Sequence, residues 1–143
     1  MSKMNIELLK PFSNDGISMF MLLFRKDKSW GFVKKENCDY SLPWYVCPED
    51  SCESSVENSI MGIVFRETGA FQFDTKPLFD VELQINEREK ISKGRIYIVE
   101  LYGASVKDNV HFFKSADLPE KIEDRDFVEE LLASADVIAN IYF

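Results

Sequence analysis

The stretch Pro48-Glu49-Asp50-Ser51-Cys52-Glu53-Ser54-Ser55-Val56-Glu57-Asn58-Ser59-Ile60-Met61-Gly62-Ile63-Val64-Phe65-Arg66-Glu67-Thr68-Gly69-Ala70 decides the fold. It opens as a polar loop, and Ser54 or Ser55 can cap a helix by accepting from its free N–H groups. From there Val56, Ile60, Ile63 and Val64 recur at helical spacing. Gly69 stands where a helix ends, because glycine tolerates the left-handed turn that closes one. The spacing predicts a helix with one apolar stripe that must pack against something.

The segments on either side supply a sheet for it. Ile17-Ser18-Met19-Phe20-Met21-Leu22-Leu23-Phe24 reads as a buried strand, closed by the charged turn Arg25 to Lys28. Trp30 to Val33 is a second strand. Leu42 to Val46 is a third, with Pro43 suiting a strand start or edge. Beyond the helix, Phe79, Val81, Leu83 and Ile85 alternate on one side of a strand, and Glu87 to Lys93 forms a charged turn. Arg95 to Tyr102 returns with Ile96, Ile98 and Glu100 on one face and Tyr97, Val99 and Leu101 on the other. Val110 to Phe113 is a last strand. Asp126 to Ala139 closes the chain as an amphipathic helix with Phe127, Leu131, Leu132 and Ala135 inward. The order is α/β, an α+β arrangement with a mixed sheet. With no linker, internal repeat or low-complexity run, residues 1–143 are expected to form one domain.

Composition narrows the function classes. Apolar residues make up 45% and charged residues 29%, a globular balance. The net charge of −8 argues against general nucleic-acid binding, which is driven by cationic contacts to phosphates. Met1 to Lys10 has no long apolar run and Ile17 to Phe24 is too short to span a bilayer, so no membrane association is expected. The cysteines are Cys38, Cys47 and Cys52. Their odd count fits an intracellular, cytoplasmic setting. A zinc site on Cys47 and Cys52 needs two more soft ligands, and the only histidine is His111; free thiols are the plainer reading. The chain has no G-x-S-x-G, P-loop or H-E-x-x-H.

The opening stretch resembles the diphosphate-hydrolase motif of the Nudix family, G-x5-E-x7-R-E-U-x-E-E-x-G-U with U a bulky apolar residue. Anchored on Gly69, the paired glutamates fall on Arg66 and Glu67, the R-E pair on Gly62 and Ile63, the leading glutamate on Ser54 and the leading glycine on Pro48. Only Glu67 and Gly69 remain in register. Leu22-Leu23-Phe24-Arg25, then Trp30, then Leu42-Pro43 follow the family's order, as do Phe112-Phe113 and Leu118-Pro119 near the end. The Gly-Gly after Leu-Pro is replaced by Trp44 and Tyr45. The resemblance covers roughly the whole chain and implies a Nudix-like mixed sheet sandwiched between helices.

In the family the helix glutamates hold magnesium or manganese against a pyrophosphate. Here one such position is aliphatic and another is a guanidinium, which donates only and cannot ligate a metal. The expectation is a catalytically degenerate protein without cofactor, acting as a protein-binding or scaffold module. One alternative is a sensor that binds a nucleotide-like molecule without cleaving it, with Arg66 taking a phosphate and Trp44, Tyr45 and Trp30 offering rings to a base. Another is an active magnesium- or manganese-dependent pyrophosphohydrolase with relocated ligands, using Glu67 with Glu53, Glu57 or Glu87. Glu87 and Glu89 lie where some family members carry an extra catalytic glutamate.

Plainer readings stand beside these: Glu67 as a solvated helix-end residue, Arg66 as the partner of a nearby carboxylate, and both tryptophans as core. Glu87 and Glu89 read equally as a solvated turn, and His111 as structural. The tail Ile141-Tyr142-Phe143 is a candidate docking segment. Family members are often dimers, and the last helix is a candidate contact for a homodimer.

Overall fold

The computed structural model describes residues 3–7, 17–36, 39–47, 53–84, 92–102, 107 and 109–142. They form eight strands and two helices: β1 Lys3–Glu7, β2 Ile17–Lys26, β3 Ser29–Lys34, β4 Tyr40–Ser41, β5 Trp44–Val46, α1 Glu53–Thr68, β6 Phe73–Gln84, β7 Ser92–Leu101, β8 Val110–Phe113 and α2 Arg125–Tyr142. The sheet runs β1-β6-β7-β2-β3-β4, with β5 also on β2 and β8 on β3. It is mixed, because β2 and β7 are parallel while the other pairs are antiparallel.

Alternation along the two parallel strands divides the core. Phe20, Leu22 and Phe24 of β2 and Tyr97, Val99 and Leu101 of β7 pack with Val56, Ile60, Ile63 and Val64 of α1. Met21 and Leu23, with Ile96 and Ile98, pack with Val128, Leu131, Leu132, Ala135 and Ala139 of α2. Successive side chains on a strand point to opposite faces, so the two helices cover opposite faces of one sheet. Burial on both faces explains why Phe20 to Phe24 is a continuous apolar run. The central parallel pair needs a crossover, and α1 lies within it.

The predicted elements recur with shifted ends. Of the strand expected over Leu42 to Val46 only Trp44–Val46 is extended on the ladder, and a separate short strand, β4, precedes it; Pro43 between them donates no ladder hydrogen bond. β6 carries a bulge between Pro77 and Phe79. Helix α1 starts at Glu53, ahead of both serines considered as caps. Strand β1, for which no sequence signal was found, adds to the sheet beside β6. Cys38, Cys52, Ile85, Glu87 and Glu89 lie outside the described residues, and so do Pro48 and Phe143. No helix among the described residues is long and apolar enough to cross a membrane.

The Arg25 to Lys28 turn is a tight two-residue connection between Lys26 and Ser29, with Asp27 and Lys28 at φ 50° and 63°. Both signs match the primed turns whose twist suits a hairpin. Trp30, beyond it, is wholly buried. Its indole nitrogen donates to Asp136 Oδ1 of α2 at 2.8 Å, and the Arg25 guanidinium lies 5.6 Å from its ring centroid. Asp136 also accepts from the Ser115 hydroxyl. This is a tryptophan that fastens α2 to the sheet.

One residue of α1 has no internal justification. A Cβ added to Gly62 would meet nothing within 4 Å, yet glycine inside a helix costs about 0.5–1 kcal/mol relative to alanine. Gly62→Ala is therefore expected to stabilise the protein by about 0.5–1 kcal/mol, raising the thermal midpoint by about 1–4 °C in calorimetry. An unchanged or lowered midpoint would show that the helix face needs the glycine.

Candidate functional site

The end of α1 is held by several hydrogen bonds. Gly69 adopts φ 76°, and its N–H donates to Phe65 O at 2.8 Å. The left-handed conformation is why glycine closes this helix. Thr68, wholly buried, donates through Oγ1 to Val64 O at 2.6 Å and accepts from Ala70 N at 3.1 Å. Lys107 donates from its backbone N–H to Thr68 O at 3.0 Å and from Nζ to Arg66 O at 2.7 Å. A cation on the terminal carbonyls complements the negative helix end.

Glu67 sits on the last turn with its side chain 20% exposed, whereas Arg66 is 64% exposed. Arg66 Nε donates to Glu67 Oε1 at 3.3 Å, and Asn109 Nδ2 to Oε2 at 3.4 Å. Ile63 is buried in the core on the α1 face. The Tyr45 ring stacks on Phe20 with centroids 5.6 Å apart, and its hydroxyl is buried, with no hydrogen bond of good geometry among the described residues. Burial pushes the phenol up to about 12, with the Glu67 carboxylate adding to the rise and the Arg66 guanidinium opposing it. Tyr45, Arg66 and Glu67 thus form one electrostatic unit.

Trp44 is separated from that unit by the sheet itself. On β5 it pairs with Met21 while Tyr45 pairs with Phe20, so the two aromatics point to opposite faces. Trp44 packs with the core on the α2 face, against the backbone of Gly94. A Cβ at Gly94 would lie 2.7 Å from the indole, so only glycine admits this approach. Beside Trp44 opens a cavity of about 300 Å³, lined by Met21, Leu42, Phe127, Lys35, Glu123 and Asp124 among others. Lys35 Nζ bridges to both Glu123 carboxylate oxygens at 2.8 Å there.

The residues singled out in the sequence as a ligand set are therefore not one set. Tyr45 and Arg66 lie with Glu67 on the α1 face. Trp44 lines a cavity on the α2 face, and Trp30 is core with no ring face open to a ligand. The residues missed were Asn109 and Lys107, which reach the helix end from some forty positions away in sequence. Nothing in the local pattern marks either of them.

A divalent cation needs several oxygen ligands around one point. Glu57 and Glu67 stand ten positions apart on one helix, about 15 Å along its axis, and Glu53 is about 21 Å from Glu67. No single ion is shared across those spans. Among the described residues, no group of three or more His, Cys, Asp or Glu is placed to hold a metal. The described side chains at the end of α1 do not fit a magnesium or manganese centre. His111 instead meets Tyr40 edge-on, with ring centroids 5.5 Å apart. Cys47 is a free, half-buried thiol whose pKa burial raises, against the nearby Arg95.

No protein-family model and no curated protein matches the sequence. Solved structures do match. A pyrophosphohydrolase of Bacillus subtilis aligns over 83% of this chain and 75% of its own, with TM-score 0.59 and 20% identity. A MutT Nudix hydrolase of Burkholderia pseudomallei aligns over 78% and 92%, with TM-score 0.57 and 14% identity. The fold is the Nudix fold. The Nudix domain of Shewanella oneidensis NrtR, solved with ADP ribose, aligns over 82% and 86%, with TM-score 0.52 and 16% identity. At these identities the likeness is one of fold, and within the Nudix fold this chain places Ile63, Arg66, Trp44 and Tyr45 as described.

The raised phenol gives a titration test. A tyrosine whose pKa is higher folded than unfolded binds its proton more tightly in the native state. Its contribution to stability is complete below pH 10 and is lost as pH rises towards about 12. Tyr45→Phe should remove the component near 12 from the ultraviolet titration of the native protein, and should make the alkaline loss of stability shallower. Retention of the full component in the variant would assign it to another tyrosine.

Proposed function

We propose that this protein is a catalytically degenerate Nudix-fold protein, a protein-binding or scaffold module that works without metal-dependent hydrolysis. The observation that carries the reading is the state of Glu67. It is the one carboxylate kept from the motif pair, and its two oxygens accept from Arg66 and Asn109. The guanidinium repels a cation at close range, and Ile63 brings no oxygen.

The test is hydrolysis of nucleoside-diphosphate-linked compounds, ADP ribose and UDP-sugars among them, with magnesium or manganese. Product release is expected at the rate of the protein-free control, with Glu67→Gln indistinguishable from wild type. Metal-dependent turnover that Glu67→Gln lowers by at least about 100-fold, the scale of losing an essential catalytic group, would overturn the reading in favour of a working pyrophosphohydrolase.

The cavity beside Trp44 favours a second reading, a non-hydrolysing sensor of a nucleotide-like ligand. Its volume reaches the lower end of small-molecule sites, and one wall is an aromatic ring. A ligand that binds only the native state raises the thermal midpoint by mass action. For the scaffold reading, millimolar adenine and uridine nucleotides should leave the midpoint unchanged. A saturable rise, abolished in Trp44→Ala, would favour the sensor.

A further inference from the structure

The outward side of α1 carries an apolar surface that nothing within the described chain covers. Glu57, Asn58, Met61, Gly62, Phe65 and Arg66 are all exposed. Met61 is 60% and Phe65 49% exposed, and Phe71, just beyond the helix, is 81% exposed. The Phe65 and Phe71 rings lie 4.8 Å apart. Met61 stands one turn before Phe65, so the three side chains form a continuous strip. Leaving two phenylalanines in ring contact and a methionine in water forgoes the favourable burial of apolar area.

The charges around the strip select its occupant. Glu57 lies one turn before Met61, at the first end of the strip. Lys107 lies at the other end, against Gly69 and on the Arg66 carbonyl. A two-fold axis midway between Met61 and Phe65 would set two copies of α1 antiparallel. Met61 of each copy then comes level with Phe65 of the other, a favourable sulfur–aromatic pairing made twice. The same operation brings Glu57 of each copy level with Gly69, and hence Lys107, of the other. Acid meets base at both ends, and the two helix dipoles oppose. A net charge of −8 repels a second copy in general, so association needs a local match of this kind.

We propose that the partner of this surface is a second copy of the chain, docked through α1 in an antiparallel, two-fold contact centred on Met61 and Phe65. The proposal rests on the reading of α1 as a binding rather than a catalytic element, and it uses α1 where the sequence suggested the last helix. The interface is isologous, so each substitution acts twice.

Sedimentation equilibrium of the full chain tests it. At roughly 100 μM, enough to populate a micromolar complex, wild type should run at twice 16.6 kDa. Met61→Asp and Phe71→Asp, both at exposed positions, should keep the circular dichroism spectrum and raise the dimer dissociation constant at least about tenfold. Glu57→Lys should weaken the dimer, and Glu57→Lys combined with Lys107→Glu should restore it. A wild-type monomer at that concentration would overturn the proposal, as would a dimer indifferent to both aspartates or a charge exchange that restores nothing. A different protein partner on this face would leave wild type monomeric and so would also overturn it. The hydrolysis assay decides the scaffold reading separately: monomeric, inactive protein sinks only the pairing, and metal-dependent turnover sinks the reading whatever the mass.

Discussion

The structure depends on the double burial of β2. Phe20, Leu22 and Phe24 face α1 while Met21 and Leu23 face α2, and all five are buried. Each helix has a single apolar stripe and is stable only where that stripe is covered. One strand serves both, supported by its parallel partner β7, whose Ile96 and Ile98 face one way and Tyr97 and Val99 the other. A one-residue slip of β2 against its neighbours would present every side chain to the wrong layer. The register of the whole sheet is thereby fixed from its middle.

The same alternation settles what Trp44 and Tyr45 do. As two aromatics in place of two glycines, they look in the sequence like a single obstruction. On β5 they part across the sheet. Tyr45 joins Phe20 and reaches the end of α1, while Trp44 rests on Gly94 and forms a wall of the cavity near α2. The cavity and the helix end are thus on opposite faces, and a ligand in one does not touch the side chains of the other. Had both rings filled one site, a single substitution would have modified both properties. Their separation lets the two be altered independently.

Much of the fold was legible because its signals are local. The alternation of β7, including Glu100 on the side of Ile98, follows from period two alone; Glu100 does face Arg25, 3.7 Å away. The helix stripe of Val56, Ile60, Ile63 and Val64 and the closing Gly69 follow from period and turn chemistry. Strand β1 was overlooked: Lys3-Met4-Asn5-Ile6-Glu7 alternates polar and apolar residues, but over only five positions, and its partner, the open edge of β6, lies some eighty residues away. The site was legible only by composition. Position against the family pattern showed that Ile63 and Arg66 carry no carboxylate, but the contacts to Asn109 and Lys107 come from the far side of the sequence. The core position of Trp30 was one of the readings open in the sequence, whereas its bond to Asp136, more than a hundred residues away, was not legible.

The energetics of the end of α1 follow from the side chains it carries. Ile63 buries apolar area in the core, favourable by roughly 1.5–3 kcal/mol for a fully buried side chain. Arg66 attracts the neighbouring Glu67, weakly because the guanidinium is largely exposed. Asn109 and Arg66 donate to the two oxygens of Glu67, so it incurs little of the penalty of an unpaired, half-buried charge. The polar groups of this helix end thus find partners within the chain, while its outward face carries the exposed Met61 and Phe65, with Phe71 adjoining.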